Sequence, residues 1–283
     1  MNDNYPFIDL ALAQRLERTE ALACADFVET RARLQPASDA CWIEVAGAYA
    51  MFDGVGSPIT QTFGLGMFEP VTAEVLQQLE TFFTERGAAV HHEISPLADP
   101  SLLALLHERG YHPIELSSVM YRPTQLAIQP DVKLARAENP KLTVRVMNKA
   151  EAQRWADIAA QGWSEMAELS DFIRDLSLVS AERERGVSFF AELKGFAELD
   201  SEPIATGGLS LGEGIALMAG ASTVPAQRKQ GAQLALLEAR LQYAAAQGCE
   251  LAMMCAAPGS ASQRNAERQG FRIAYTRLKW GKS

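Results

Sequence analysis

Six consecutive residues, Arg228-Lys229-Gln230-Gly231-Ala232-Gln233, put two cations and a glycine where a helical pattern begins. Leu234, Leu237 and Leu241 recur at helical spacing, with the helix formers Ala235, Glu238 and Ala239 between them. Upstream, residues 215–224 are apolar and small and end in the β-branched pair Thr223 and Val224, the pattern of a buried strand. Strand, turn and helix start make an anion site in outline. The first amides of a helix have no internal acceptor, and the helix dipole favours negative charge there. Arg228 and Lys229 add charge suited to phosphates, and Gly231 lets the backbone approach a ligand with no Cβ in the way. A nucleotide P-loop is a poor alternative, because G-x-x-x-x-G-K-[ST] is absent.

Other reactive side chains are less organised. Cys24, Cys41, Cys249 and Cys255 form no C-x-x-C and no zinc-like spacing with the four histidines, so no metal site is expected. Cys249 and Cys255 stand an even number apart in a strand-like stretch and so share a side, as buried inert thiols. His91 and His92 sit on one strand, where alternation buries one and exposes the other. Tyr275 alternates with the final strand and reads as packing. Glu165, Glu168 and Asp171, at spacings of three, share a helix face that is either solvated or turned to a cationic amine.

The elements around these residues rhyme. Residues 82–113 and 243–273 each run helix, glycine, short apolar strand, proline, helix, glycine, aromatic. The glycines are Gly87 and Gly110, then Gly248 and Gly270, at positions typical of helix C-termini. Four ordered features in common suggest an internal duplication. Hairpins precede both segments, one turning at Asp53-Gly54 and one near Gly212–Gly214. Residues 151–166 read as a helix and 186–193 as a strand. The prolines and scattered charges of 126–140 mark a linker between domains 1–125 and 141–283. The expected fold class is α/β, two mixed domains each with a partly antiparallel sheet flanked by helices.

A hydrophobic content of 48% with 22% charged residues is that of an ordinary soluble protein. No apolar run approaches the roughly 20 residues that span a bilayer, and the N-terminus lacks the pattern of a signal peptide, so the expected place is the cytoplasm. A net charge of −9 argues against nucleic acid and suits an amine-bearing substrate.

The turn at 228–233 resembles the R/Q-x-x-G-x-G/A signature of the GCN5-related N-acetyltransferases (GNAT), with Thr223 and Pro225 in the places of the V-x-P before it. Residues 264–280 resemble that family's closing helix and strands, so the likeness covers roughly 141–283. The first half resembles the same fold more weakly, which implies a tandem GNAT protein with a degenerate N-terminal copy. By this resemblance Arg228, Lys229, Gln230, Gly231, Ala232 and Gln233 wrap the pyrophosphate of acetyl-CoA, and Ser222, Thr223 and Val224 pair with its pantetheine arm.

Two positions depart from the family pattern. Gln233 stands where glycine or alanine is usual. Ala266 stands where a tyrosine often protonates the leaving thiolate. Asn265, Ser262 or water assists instead, or transfer needs no dedicated acid. Glu213 is the candidate general base. The corresponding turn of the first half, 63–75, has no cation and puts Glu69 near the helix start, which would repel a pyrophosphate. The implied function is direct acetyl transfer from acetyl-CoA to a primary amine, small molecule or peptide, since no Cys/His or Ser/His pairing suggests an acyl-enzyme. The alternative is an acyl-CoA-binding or sensing module without turnover.

Overall fold

A computed structural model describes residues 5–125, 139–164, 167–194 and 201–282. Most of the expected linker, 126–138, and Glu165 lie outside them. In chain order the elements are α1 (Leu10–Leu34), β1 (Cys41–Val45), β2 (Ala48–Phe52), β3 (Gln61–Phe63), α2 (Ala73–Thr84), β4 (Val90–Ile94), α3 (Ser101–Glu108) and β5 (His112–Pro123). There follow β6 (Leu142–Val146), α4 (Ala152–Gln161), α5 (Ser170–Glu182), β7 (Gly186–Lys194), β8 (Ser201–Gly212) and β9 (Ile215–Thr223). The chain continues with α6 (Ala232–Ala246), β10 (Leu251–Ala256), α7 (Ala261–Arg268) and β11 (Arg272–Lys282). This is a mixed α/β fold. None of the described helices is long and apolar enough to cross a membrane.

The repeated order is visible in both halves, α2-β4-α3-β5 and α6-β10-α7-β11. All four helices end alike. Gly87, Gly110, Gly248 and Gly270 take left-handed φ values of 67°, 81°, 80° and 80°. The next residue then donates its N–H back into the last turn: Ala88 to Phe83, Tyr111 to Leu106, Cys249 to Ala244 and Phe271 to Ala266, each at 3.0 Å. That bond occupies a carbonyl the helix leaves orphaned, and glycine makes the reversal without a Cβ clash.

Two compact units emerge, Met1–Arg122 with Met253–Ser283, and Pro123–Ala252. In the first, β2 pairs antiparallel with β1 and β3, β3 runs parallel to β4 at Thr62 and His92, and β11 lies between β4 and β5. By chain order β11 belongs with the expected domain 141–283. The hydrogen bonds of β11 instead join it to β4 (Leu278 opposite Ile94) and to β5 (Arg272 opposite Tyr121). Periodicity identifies a strand, but its unpaired N–H and C=O groups accept whichever edges the tertiary fold presents. The core of this unit packs Leu76, Leu79 and Phe83 of α2 with Leu102, Leu106 and Tyr111, while Ala21, Ala25 and Val28 of α1 cover Tyr49, Met51 and Phe63.

The first hairpin also differs from expectation. β1 and β2 reverse at Ala46-Gly47, both with positive φ (49° and 72°), the turn whose twist matches a two-residue hairpin. Asp53 instead opens the longer connection to β3. Its buried carboxylate accepts from Arg31 Nε (2.8 Å) and Ser57 Oγ (2.7 Å).

In the second unit β6, β7, β8 and β9 form an antiparallel run in sequence order. Trp155 of α4 is buried among Ala152, Ala159, Ala181 and Phe190, and donates its Nε1–H to the Phe189 carbonyl at 3.0 Å. Helix α6 packs on β8 and β9.

Candidate functional site

Strand β9 delivers the chain to the cationic turn. Ser222 is buried and donates its hydroxyl to the Ala159 carbonyl (2.8 Å), tying the end of β9 to the last turn of α4. Val224 N–H donates to the Ile204 carbonyl (3.0 Å), after which Pro225–Gln227 make one 3-10 turn. Arg228 is extended, Lys229 is left-handed (φ 65°), and Gly231 is left-handed again (φ 87°) at the N-cap of α6. No side chain caps that helix. Its opening amides therefore have no intrahelical acceptor, and the alternation of backbone hand at 229–231 is the kind that turns successive N–H groups to one side. A left-handed lysine costs about 1–2 kcal/mol relative to the right-handed form, so the fold imposes this conformation.

Arg228 and Lys229 are both exposed. Arg228 Nη2 donates to the Gly162 carbonyl (3.1 Å) at the C-terminal end of α4, where the helix dipole is negative, so it braces the turn as well as charging it. Gln230 Nε2 donates to Gln227 Oε1 (2.5 Å). Gln233, the departure from the family pattern, folds its amide back onto Thr223 Oγ1 (2.6 Å) and clasps the helix start to the strand end. Residues 222–233 thus converge in the second unit.

The strand before the turn is not regular. Thr206 faces Ser222 and Gly208 faces Ala219, so β9 carries one extra residue at Gly220, which has φ 62°. This is a β-bulge, and Ala219, Gly220 and Ala221 are exposed around it although the strand is buried from Ile215 to Met218. The apolar pattern of 215–224 does not announce it. A glycine between alanines in a strand run, and the Gly207-Gly208 pair opposite, were the available signals.

Other candidates lie elsewhere. Glu213 is exposed at the tip of the β8–β9 hairpin, with φ 51°. That is the opposite end of β9 from Thr223, roughly 30 Å away at about 3.3 Å per residue, so it does not converge with the turn. Ser262 and Asn265 are exposed on α7, in the first unit, and Asn265 Oδ1 accepts from Arg268. Ala266 is buried. Glu168 lies in a 3-10 turn before α5 and Asp171 in its first turn, where it accepts from Arg174 Nη1 (2.6 Å), so the acidic face is interrupted and partly paired.

The corresponding turn of the first half is built differently. After β3, Gly64 and Gly66 are left-handed, but α2 is capped by Thr72, whose Oγ1 accepts from Val75 N–H, and Glu74 occupies its first turn. Thr72 and the backbone amide hold the Glu74 carboxyl below its usual range. Glu74, rather than Glu69, is the anion at this helix start.

The reactive groups of β10, β11 and β4 serve the interior. Cys255 Sγ stands 3.4 Å from Glu20 Oε2 and from Arg277 Nη2; burial and then the Glu20 charge push its thiol well above the ordinary value. The local stretch 249–258 offers Cys255 only apolar neighbours and Glu250; Glu20 and Arg277 arrive from α1 and β11. Cys249 precedes β10 and its N–H serves the α6 C-cap, so the two thiols do not share one strand. Tyr275 donates to Glu17 Oε1 (2.8 Å); burial and the Glu17 charge raise the Tyr275 phenol, and burial, partly opposed by Arg277, raises the Glu17 carboxyl. His92 is buried beside Tyr111 Oη (3.3 Å) and His91 is half-buried. Among the described residues no group of His, Cys, Asp and Glu is arranged to hold a metal.

Solved structures place this architecture. A GCN5-related N-acetyltransferase from Kribbella flavida superposes with a TM-score of 0.59 at 18% identity, covering 90% of this chain and 94% of that one. The fold is the GNAT fold. A tandem GNAT protein from the clavulanic acid biosynthesis pathway shares it at a TM-score of 0.58 and 12% identity, over 84% of this chain and 78% of that one. So does a conserved protein of unknown function from Bacteroides thetaiotaomicron, at 0.61 and 9%, over 98% and 99%. No family model matches the sequence, and no curated protein matches it at a significant level. On the GNAT fold, the strand-turn-helix at 215–246 is the segment that carries the signature-like residues.

Proposed function

We propose that this chain transfers an acetyl group from acetyl-CoA to a primary amine, in a ternary complex without an acyl-enzyme. The observation that carries the reading is the left-handed Gly231 at the uncapped start of α6, directly after two exposed cations. The amides of Gly231, Ala232 and Gln233 and the charges of Arg228 and Lys229 suit a pyrophosphate, and the exposed bulge upstream suits an acyl-pantetheine arm lying along β9. Ser222, Thr223 and Val224 supply that strand edge. The amine nitrogen attacks the thioester carbonyl, the C–S bond breaks, and the proton lost by nitrogen balances the one taken up by the coenzyme A thiolate. The first half, with Thr72 and Glu74 at its helix start, does not bind coenzyme and acts as a degenerate copy that shapes the protein. The proposed setting is the cytoplasm, with a small molecule or peptide as acceptor and no nucleic acid.

A second reading, an acyl-CoA-binding module without turnover, is favoured by two specific features. Glu213 stands at the far end of β9, and Ala266 is buried where the family's acid is often a tyrosine. Calorimetry with acetyl-CoA, followed by thiol detection with a panel of amines, separates the two. Binding with amine-dependent release of coenzyme A supports the enzyme. Binding without release from any amine supports the module, and no binding defeats both.

A further inference from the structure

Three buried polar atoms of the first unit lie in one row across its sheet, and none has a hydrogen-bond partner among the described residues. They are Thr62 Oγ1 on β3, His92 Nδ1 on β4 and Trp280 Nε1 on β11. The ladder puts their residues side by side. Thr62 is the registered partner of His92, and His92 of Trp280, so all three side chains leave the same face. That face is the apolar one. Ala50, opposite Thr62 on β2, belongs to the core built on Leu76, Phe83 and Tyr111, and Trp280 packs against it. Thr62 and His92 are both 0% exposed. Native interiors rarely leave one such atom unbonded, and here the unbonded atoms are neighbours.

The other bonds of His92 define what the row lacks. Tyr111 donates its hydroxyl proton to Glu80 Oε1 (3.1 Å), a carboxyl that Arg109 Nη1 (2.8 Å) and Lys282 Nζ (3.4 Å) also hold. Toward His92 Nε2, 3.3 Å away, Tyr111 Oη is left to accept, so Nε2 carries the ring proton. The ring is neutral, because burial lowers its pKa to about 3, and Nδ1 is then a bare acceptor. Trp280 Nε1–H can only donate, and the Thr62 hydroxyl does either. An acceptor, a donor and a hydroxyl complement one small protic molecule, which donates to Nδ1, accepts from the indole and completes its shell at Thr62. Neighbouring strands lie about 4.8 Å apart, so Thr62 and Trp280 flank His92 across roughly 10 Å, a span that an indole and one oxygen can close. The walls are otherwise apolar, and buried waters typically make about three such bonds to groups the protein leaves unsatisfied.

We propose that the first unit binds one internal water between Thr62, His92 and Trp280, a side-chain bridge that ties β3, β4 and β11 together. β3 has need of it, since its ladder to β4 holds the single registered pair Thr62 and His92. The bridge also checks the register of β11: a slip of one residue would turn Trp280 to the other face and remove the donor.

Nuclear magnetic resonance of the full chain labelled with nitrogen-15 reads the bridge. Long-range nitrogen–proton spectra should place the His92 proton on Nε2, and the Trp280 indole proton should show cross-relaxation with a long-lived water. A His92 proton on Nδ1 overturns the proposal, as does an indole proton with no water cross-peak. A nitrogen–nitrogen coupling between Trp280 Nε1 and His92 Nδ1 reports a direct bond and overturns it too. Denaturant titration of Thr62→Val, Trp280→Phe and the double variant gives a second readout. Two groups that share one water should cost less together than the sum of their separate effects, and strict additivity overturns the shared bridge. If Trp280→Phe does not fold, Thr62→Val decides: the indole–water cross-peak should lose intensity, and an unchanged peak sinks the proposal.

Discussion

Gly162 and Ser222 are packed so closely that a Cβ at position 162 would overlap the Ser222 hydroxyl and stand 3.0 Å from its Cβ and 3.1 Å from Thr223 N. Gly162 has φ −62°, so the glycine is needed for space and not for backbone freedom. We predict that Gly162→Ala costs about 1–3 kcal/mol, because Ser222 must surrender its bond to Ala159 or the end of β9 must move. Adding Ser222→Ala should recover part of that loss. Denaturant titration of the single and double variants checks it; strictly additive effects would show that the two side chains do not meet.

The turn itself can be probed at Gly231. Gly231→Asn and Gly231→Asp share the strain of a left-handed side chain, but only the second adds negative charge where phosphates are expected. Affinity for acetyl-CoA should fall in both, and by a further factor of roughly ten, about 1.4 kcal/mol, in the aspartate variant. Equal calorimetric affinities for the two would remove the phosphates from this turn.

Each chain should take up one acetyl-CoA. Thr72 and Glu74 occupy the start of α2 with a side-chain cap and a carboxylate, whereas α6 starts with neither. A titration saturating at two coenzymes per chain contradicts this.

Cys255 should carry no acyl group. Its thiol lies between Glu20 and Arg277, and burial keeps it protonated. Mass spectrometry after incubation with acetyl-CoA alone should find the protein unmodified. A stoichiometric adduct on Cys255 that discharges on adding amine would establish an acyl-enzyme.

Stability should depend on pH through His92, whose pKa burial lowers to about 3. Between that value and the roughly 6.5 of the unfolded chain, the unfolded state binds the extra proton, so stability rises with pH and is complete above about 6.5. The slope from this residue reaches at most about 1.4 kcal/mol per pH unit. Glu17 and Glu93 act oppositely, since burial raises them: they bind protons in the folded state, and their contribution is lost as pH rises above the usual carboxylate range. His92→Gln should therefore flatten the acid side of the stability curve specifically. Chemical denaturation from pH 4 to 8 decides it, and an unchanged acid slope would count against a neutral buried His92.

Local features were legible because local residues cause them. The four glycine-ended helices, the strand expected over 215–224 and the helix after Gly231 follow from periodicity and backbone freedom, and each is present, the strand as Ile215–Thr223. What escaped were relationships set by packing between distant segments. Nothing near Cys255 in sequence announces Glu20. The Ala46-Gly47 reversal lost to Asp53-Gly54 because aspartate-glycine is the stronger turn pair, although Asp53 is committed to Arg31.

The place of β11 between β4 and β5 also bears on how the protein is made. Residues 5–125 leave the ribosome first, yet two of the strands they contain lack the neighbour they share until residues 272–282 have been synthesised. The first unit must wait, with β4 and β5 presenting unsatisfied edges throughout translation of the second. Nascent chains stalled at residue 250 should therefore be protease-sensitive in their first 125 residues, and co-translational chaperones should engage them there. Vectorial synthesis does not complete the first unit from its N-terminus forward: β11, made after the whole second unit, closes it.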